Sequence, residues 1–390
     1  MKIEHFFKLF YIFIVATLLL SGCSLLKGCS SNQNNVKTDN IKPVFIKFPW
    51  LIYDAVPESM LVLWQTNSKK PSSITFGTNK NYTNKIIKVY PDSFDNMFKY
   101  RFTGLKTKTK YFYKIVTGNS IATGSFTSAP DKNSTNLEFI VYGDTRTNID
   151  SHNKLCSLMN QKINKNPALQ TVAIHVGDFV EDGDSISSWE NEWFSSKANN
   201  IRKFMSRIPI EACLGNHEDS GELFDRYFPY PFKYGHYWSF NYGPAHFVFL
   251  DQYVDISDNS KQINWLKNDL KTSTKKWNFI VFHEPGYSAN GGHSDNDNVR
   301  TVIQPVLEEF NVTAVFSGHN HYYSRAVING VTHITTGGGG APLYNPMPAQ
   351  GNLIVTKKAY HFCIVKINNN TLSFKAIDIN NRIIDNFIIN

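Results

Sequence analysis

Short apolar runs recur through the last two thirds of the chain, and each ends at a polar side chain that could bind a metal ion. The runs are LEFIVYGD ending at Asp144, TVAIHVGD at Asp178, IPIEACLGN at Asn216, FIVFH at His283, and VTAVFSGHNH with His319 and His321. Runs of this length predict buried strands, and α/β folds gather ligands at the carboxyl ends of their strands. We therefore expect these side chains to meet in one crevice.

The first third of the chain has a different pattern. Residues 43–130 contain alternating segments such as MLVLWQT and YFYKIVTG separated by turn signals, which predicts a β-sandwich. Residues 131–135 are the expected linker. From 136 to 390, strands alternate with helical spacing, as at Ile263, Leu266 and Leu270, before β-rich sequence returns after Ala326. The predicted fold is an N-terminal β-sandwich followed by an α/β domain of two mixed sheets packed together and flanked by helices.

The N-terminus has the pattern of a targeting segment. Lys2 and Lys8 precede an apolar run that is too short to span a bilayer comfortably, and Leu-Ser-Gly-Cys follows, ending at Cys23. This tetrad resembles a bacterial lipobox, which implies a signal peptide over 1–22, a lipid on Cys23 and an extracytoplasmic protein anchored to a bacterial membrane. The alternatives are an ordinary signal peptide or an uncleaved anchor. Residues 23–42, rich in Ser, Asn and Lys, predict a flexible tether.

Charge and cysteine content limit the expected partners and the expected disulfide bonds. The 390 residues carry a formal net charge of +8, but the lysines are scattered among Asn and Ser, so nucleic acid is not an expected specific partner. A modest positive field could still attract anionic substrates or phospholipid headgroups. Cys156 and Cys213 lie in apolar surroundings that predict buried free thiols, and no disulfide framework is expected.

The polar residues at the strand ends favour a metal site over ordinary turns. A single Asp or Asn after a strand is usually a turn or cap residue, but that explanation does not predict carboxylates, an amide and imidazoles in series. Nitrogen and oxygen donors suit iron, zinc or manganese, whereas a structural zinc site normally uses thiolates. The donors are too many for one four-coordinate ion. If one carboxylate bridges two cations, the donors divide between these cations, and such a pair of metal ions serves phosphoryl transfer.

These blocks resemble the calcineurin-like metallophosphoesterases, and among them the purple acid phosphatases. The matching segments are GDTR at 143–146, GDFVEDG at 177–183, GNHE at 215–218, FHEP at 282–285, GHNHYYSR at 318–325, and the glycine-rich TTGGGGAP from Thr335. The resemblance covers about residues 136–345. The spacing from Leu105 to Tyr111 also resembles fibronectin type III domains, which often precede the catalytic domain in purple acid phosphatases.

The resemblance implies a role for each residue. Asp178 would bridge two metal ions, with Asp144 and His321 completing one site and Asn216, His283 and His319 the other. A hydroxide held by the metals would attack phosphorus. His217 would stabilise the phosphoryl oxygens or protonate the leaving group, and His293 would be a second substrate histidine.

Two positions depart from the family pattern. Purple acid phosphatases place a metal-binding tyrosine three residues after the bridging aspartate. This chain has Glu181 at that position. Glu181 is either a replacement ligand or a residue outside the ligand set. Arg146 stands where many other members carry a histidine; it could bind substrate phosphate or hold a carboxylate. Arg325 could contact substrate or form a structural ion pair.

The expected activity is hydrolysis of phosphomonoesters by an extracytoplasmic binuclear enzyme. The alternatives are a phosphodiesterase of the same fold, or a non-enzymatic surface binding protein with a degenerate metal site.

Overall fold

The computed structural model describes residues 42–82, 85–347 and 352–390. The predicted signal peptide, Cys23 and all of the predicted tether except Lys42 lie outside these residues. Within the described ranges, every helix is too short or too polar to span a bilayer.

The N-terminal strands form two antiparallel sheets with a common core. One sheet has the order β1-β2-β5 and the other β4-β3-β6-β7. Large side chains such as Trp64, Phe98, Tyr113 and Phe126 are fully buried in one cluster between them, because alternate residues of each strand point inward. The strands are β1 Phe45–Ile52, β2 Met60–Thr66, β3 Ser72–Gly77, β4 Ile87–Val89, β5 Met97–Phe102, β6 Lys110–Thr117 and β7 Ser120–Thr127.

The remaining strands form two larger mixed sheets, in agreement with the predicted α/β part. The first has the order β10-β9-β8-β18-β19-β20 and the second β11-β12-β13-β14-β16-β15-β17. Strands β8, β9 and β10 run parallel, as do β12, β13, β14 and β16. The strands of the first sheet are β8 Asn136–Tyr142, β9 Ala173–His175, β10 Ile210–Ala212, β18 His361–Asn368, β19 Thr371–Asp378 and β20 Ile383–Ile389. Those of the second sheet are β11 Trp238–Tyr242, β12 Ala245–Phe249, β13 Trp277–Val281, β14 Ala314–Ser317, β15 Tyr323–Ile328, β16 Val331–Thr336 and β17 Leu353–Lys357.

Aromatic side chains join the two mixed sheets face to face. Phe139 of the first sheet contacts Phe247, Phe279 and Phe316 of the second, with ring centroids 5.1 to 6.3 Å apart. All four rings are buried, and burial of such a side chain stabilises a fold by roughly 1.5–3 kcal/mol. This packing fixes the distance between the sheets, and hence between the loops at their ends.

The helices cover the sheets. Helix α5 begins after Ser260, whose hydroxyl caps the Ile263 amide, and it buries the predicted residues Ile263, Leu266 and Leu270. Cys156 and Cys213 are buried free thiols, as predicted. The helices are α1 Ile149–Lys165, α2 Ile186–Asn191, α3 Asn199–Met205, α4 Glu222–Tyr227, α5 Lys261–Thr272 and α6 Gln304–Glu309, the last preceded by a π-helical turn at Val299–Ile303.

Strand β1 packs against the loops and helices that follow β9. The indole of Trp50 donates a hydrogen bond to the Tyr227 carbonyl at 2.9 Å. Lys47 is buried and contacts the Gln65 side chain at 2.5 Å and Glu190 at 3.2 Å. The N-terminal sheets therefore support the segment that carries α2 and α4.

Candidate metal centre

The predicted ligands emerge from both mixed sheets at the ends of their central strands. Asp144, Asp178 and Asn216 follow β8, β9 and β10 of the first sheet, while His283 and the pair His319 and His321 follow β13 and β14 of the second. Left-handed backbone conformations occur at three of these positions, with φ of 56°, 57° and 65° at Asp144, Asp178 and His319. Such strain costs on the order of 1–3 kcal/mol per residue and concentrates at functional sites.

One group of donors consists of Asp144, Asp178 and His321. One ligand atom from each lies within 4.8 Å of the others, and all three side chains are buried. His321 Nε2 is 3.6 Å from Asp144 Oδ1. Asp144 Oδ2 is buried and has no hydrogen-bond partner among the described residues. A buried carboxylate oxygen without a partner is what a bound cation would satisfy.

A second group of donors lies next to Asp178. The Asn216 side-chain oxygen is 3.1 Å from His283 Nε2 and 2.9 Å from His319 Nδ1. Asp178 Oδ1 is 3.2 Å from His283 Nε2. Asp178 therefore contacts both groups, the position that a shared ligand must occupy.

Main-chain carbonyls orient two of the imidazoles. His283 Nδ1 donates to the Val176 carbonyl and His321 Nδ1 to the Pro342 carbonyl, each at 2.7 Å. Because a carbonyl only accepts hydrogen bonds, Nδ1 of each ring carries a proton, and Nε2 is the ring atom that faces the carboxylates and could bind a metal once it is deprotonated. Imidazoles that bind metals are usually held in this way. The donor set thus fits the iron, zinc or manganese pair that the sequence predicts.

The charges of the centre are strongly coupled. Burial, together with the neighbouring Asp178 carboxylate, raises the pKa of Asp144 to about 8. Burial disfavours protonated His283, but the charges of Asp178 and Asp144 outweigh it and raise its pKa to about 10. Positive charge placed between these groups would favour ionised Asp144 and neutral His283, because a cation inverts both shifts.

Glu218 braces the centre, a role that the sequence did not reveal. It is fully buried and accepts hydrogen bonds from the amides of Asp178, Phe179 and Gly215 at 2.7 to 2.9 Å. These bonds tie the turn after β9 to the turn after β10. The only sequence feature that pointed to Glu218 was its position in the GNHE segment.

Arg146 and Glu181, the two departures from the family pattern, contact each other. Arg146 Nε is 3.4 Å from Asp178 Oδ2, and its Nη1 is 2.5 Å from Glu181 Oε2. Glu181 Oε2 also accepts a hydrogen bond from the Thr147 hydroxyl at 2.5 Å. The Glu181 side chain is half exposed. These contacts favour Glu181 as a partner of Arg146, and Arg146 as a residue that holds two carboxylates.

The two predicted substrate histidines lie at the rim. His217 Nδ1 donates to the Glu181 carbonyl at 2.7 Å, and its Nε2 is 4.0 Å from Asp178 Oδ2. The exposed ring of His293 stacks on His319 with centroids 4.0 Å apart. Tyr344, which sequence reasoning missed, stacks on His321 at 4.3 Å and places its hydroxyl 3.3 Å from His293 Nε2.

Arg325 is held away from these residues. Its Nε and Nη2 contact the Asp385 carboxylate at 2.6 and 3.3 Å, and its guanidinium lies over the Phe387 ring. A bidentate ion pair with β20 leaves little of the guanidinium for a substrate. The contacts favour the structural ion pair over the predicted catalytic role.

Known proteins resemble this chain in sequence. Residues 137–323 match the calcineurin-like phosphoesterase family model. The chain is 25% identical over 298 residues to the probable purple acid phosphatase 20 of Arabidopsis thaliana, an alignment that covers 69% of this chain and 66% of that protein. It is 24% identical over 301 residues to a purple acid phosphatase of Glycine max, covering 71% and 61%. The chain thus spans less than two thirds of the length of these relatives.

Solved structures share the fold. The purple acid phosphatase PPD1 from yellow lupin (Lupinus luteus) seeds has a TM-score of 0.75 at 17% identity, covering 89% of this chain and 74% of that chain. PhoD has a TM-score of 0.64 at 14% identity, covering 86% of each chain. The predicted resemblance to the calcineurin-like metallophosphoesterases, and among them to the purple acid phosphatases, is confirmed.

Proposed function

We propose that the protein is an extracytoplasmic, lipid-anchored phosphatase that hydrolyses phosphomonoesters at a binuclear metal centre. The observation that carries the proposal is the position of Asp178, whose carboxylate contacts both donor groups. Two ligand sets with a shared carboxylate suit in-line displacement at phosphorus. In this proposal Asp144, Asp178 and His321 hold one cation, while Asp178, Asn216, His283 and His319 hold the other.

When bound, such a metal pair supplies a nucleophile at neutral pH and polarises the phosphoryl oxygens. The protein groups around it bind and orient the ester. His217 is fixed by the Glu181 carbonyl through Nδ1, so its Nε2 is the ring atom that can hold a proton for a phosphoryl or leaving-group oxygen. Exposed His293, aligned by His319 and Tyr344, can donate to the same ester.

Arg146 has an indirect role in this proposal. It pairs with Asp178 and Glu181, and a guanidinium with two carboxylate partners keeps both in place. Asp178 is thereby held in position between the donor groups, and Glu181 supports the carbonyl that orients His217.

The N-terminal part is proposed to be a fibronectin type III-like β-sandwich. Two antiparallel sheets of the orders β1-β2-β5 and β4-β3-β6-β7 support this assignment. The hydroxyl of Tyr111 also accepts a hydrogen bond from the Lys106 amide at 3.0 Å, a short return contact like that of a tyrosine corner. The anchor is proposed from the sequence Leu-Ser-Gly-Cys ending at Cys23.

The test is hydrolysis by purified full-length protein with its metal content measured in parallel. We expect release of 4-nitrophenol from 4-nitrophenyl phosphate, loss of activity on chelation, and recovery with iron, zinc or manganese. Faster cleavage of bis(4-nitrophenyl) phosphate would favour the phosphodiesterase. Stoichiometric metal without turnover of either ester would favour a non-enzymatic binding protein.

A further inference from the structure

A cluster of cationic side chains lines a cleft between the N-terminal sheets and the end of α3. The cleft has a volume of about 470 Å³. Lys110 contributes from β6, Lys80 from the loop after β3, and Lys203 and Arg207 from α3 and the turn that follows it. Its residues are separate from the metal ligands and from the substrate histidines.

Glycine and main-chain contacts build the floor of this cleft. A Cβ at Gly124 would lie 2.3 Å from the Tyr113 ring and 2.4 Å from the Ser206 carbonyl oxygen, so only glycine permits this approach. The Ser206 carbonyl accepts hydrogen bonds from the Tyr113 hydroxyl at 2.9 Å and from the Ser125 amide at 3.2 Å. The cleft is therefore a fixed feature of the junction rather than a gap between loosely packed parts.

The lysines reach the cleft for a simple geometric reason. Side chains alternate along β6, so Tyr111 and Tyr113 point into the core while Lys110 and Phe112 face outward. The ammonium groups of Lys80 and Lys110 lie 5.7 and 5.6 Å from the centre of the Phe112 ring. Phe112 thus holds two cations on one wall.

In the part of the chain that the structure describes, this charge has no carboxylate partner. No Asp or Glu lines the cleft, and within the described ranges none of the four cations has a carboxylate at ion-pair distance. Arg207 is the most informative, because only 9% of it is exposed and its Nη1 contacts only neutral amides, Asn164 at 2.8 Å and Asn160 at 3.5 Å. A buried guanidinium normally has an anionic partner, because desolvating an uncompensated charge is costly.

We propose that this junction cleft binds a multiply charged oxyanion of the phosphate type, whether free in solution or as a phospholipid headgroup. Four cations and a donor fork that matches oxyanion geometry select such a ligand over a single carboxylate. Burial and the nearby charges of Arg207 and Lys80 lower the pKa of Lys110, so a bound anion would relieve repulsion within the cleft. The proposal does not depend on the proposed phosphatase activity.

The first test measures binding of inositol hexasulfate, which a phosphatase does not consume, to full-length metal-loaded protein by isothermal titration calorimetry. The double variant K110Q/K203Q should weaken binding at least about tenfold, since two charge-assisted contacts are lost. The control K154Q/K271Q removes the same charge from exposed positions on α1 and α5. Equal weakening in both pairs, or none in K110Q/K203Q, would overturn the proposal.

The second test separates the two sources of the anion. Cosedimentation with vesicles of phosphatidylglycerol or phosphatidylcholine is measured for the Cys23→Ser chain with and without K110Q/K203Q, so that the N-terminal segment contributes equally. If K110Q/K203Q weakens binding to phosphatidylglycerol vesicles but not to phosphatidylcholine vesicles, the ligand of the cleft is a lipid headgroup. If K110Q/K203Q weakens binding of inositol hexasulfate but leaves binding to both kinds of vesicle unchanged, the ligand is a soluble anion. Hydrolysis of 4-nitrophenyl phosphate should be the same in K110Q/K203Q and its control, and a selective loss would place the cleft within the catalytic machinery instead.

Discussion

Replacing Asp178 with asparagine tests the shared ligand directly. The side chain is 1% exposed and contacts His283 Nε2 at 3.2 Å, Arg146 Nε at 3.4 Å and the His217 amide at 3.1 Å. Asparagine has nearly the same shape and keeps an oxygen for the His217 amide. The change therefore removes one negative charge with little alteration of the packing.

The magnitude follows from the position of that charge. Two unit charges 4 Å apart interact by about 4 kcal/mol at an effective dielectric of about 20, so a divalent cation gains up to ~8 kcal/mol, much of it offset by desolvation. If the net contribution of this charge to metal binding is about 2.7 kcal/mol after desolvation, its removal lowers the affinity for each metal ~10²-fold. Turnover should fall at least ~10²-fold as well, because the metals would supply the nucleophile and a protein that loses them cannot.

The assay combines metal analysis by mass spectrometry with hydrolysis of 4-nitrophenyl phosphate. Asp182→Asn is the matched control, because it removes the same charge at an exposed position whose carboxylate accepts a hydrogen bond from the Asp184 amide at 3.1 Å. It should keep its metals and its activity. Full occupancy of both sites and normal turnover in Asp178→Asn would refute the binuclear assignment.

Four further predictions concern His217 with Asn216, the anchor at Cys23, Glu181 and the visible spectrum. His217→Ala should lower turnover by roughly 10²–10⁴-fold with metal content unchanged, whereas Asn216→Ala should lose one metal; equal metal loss in both would contradict the division of roles. Cys23→Ser should release the protein from the membrane fraction, and an N-terminus without lipid in the unaltered protein, shown by mass spectrometry, would exclude the anchor. Glu181→Gln should retain both metals within about twofold, because the carboxylate already pairs with Arg146. The metal-loaded protein should lack the visible absorption band of a phenolate on ferric iron, because Glu181 stands where purple acid phosphatases have a metal-binding tyrosine. Such a band would show that a tyrosine does bind the metal.

The sequence alone identified the strands and the side chains at their ends. Apolar runs bounded by glycine or polar residues marked β8, β9, β13 and β14, since a buried strand needs a nearly continuous apolar stretch. The spacing of Ile263, Leu266 and Leu270 marked the buried face of α5. These features are local, and local patterns follow directly from the periods of helix and strand. The order of the motifs also carried the family resemblance.

Only the tertiary structure decided how those side chains are paired. Asp178 contacts both donor groups because Phe139 and its partners hold two sheets at a fixed separation, a distance that no periodicity encodes. Arg146 meets Glu181 across 35 residues, and Arg325 meets Asp385 across 60.

Contacts between distant loops decided the remaining features. Tyr344 reaches His293 through the conformation of a loop, and Lys110 faces Arg207 across the junction of two parts of the chain. Loop conformation depends on packing against neighbours that lie far away in sequence. The residue types at the site could therefore be predicted from the sequence, whereas their partners required the fold.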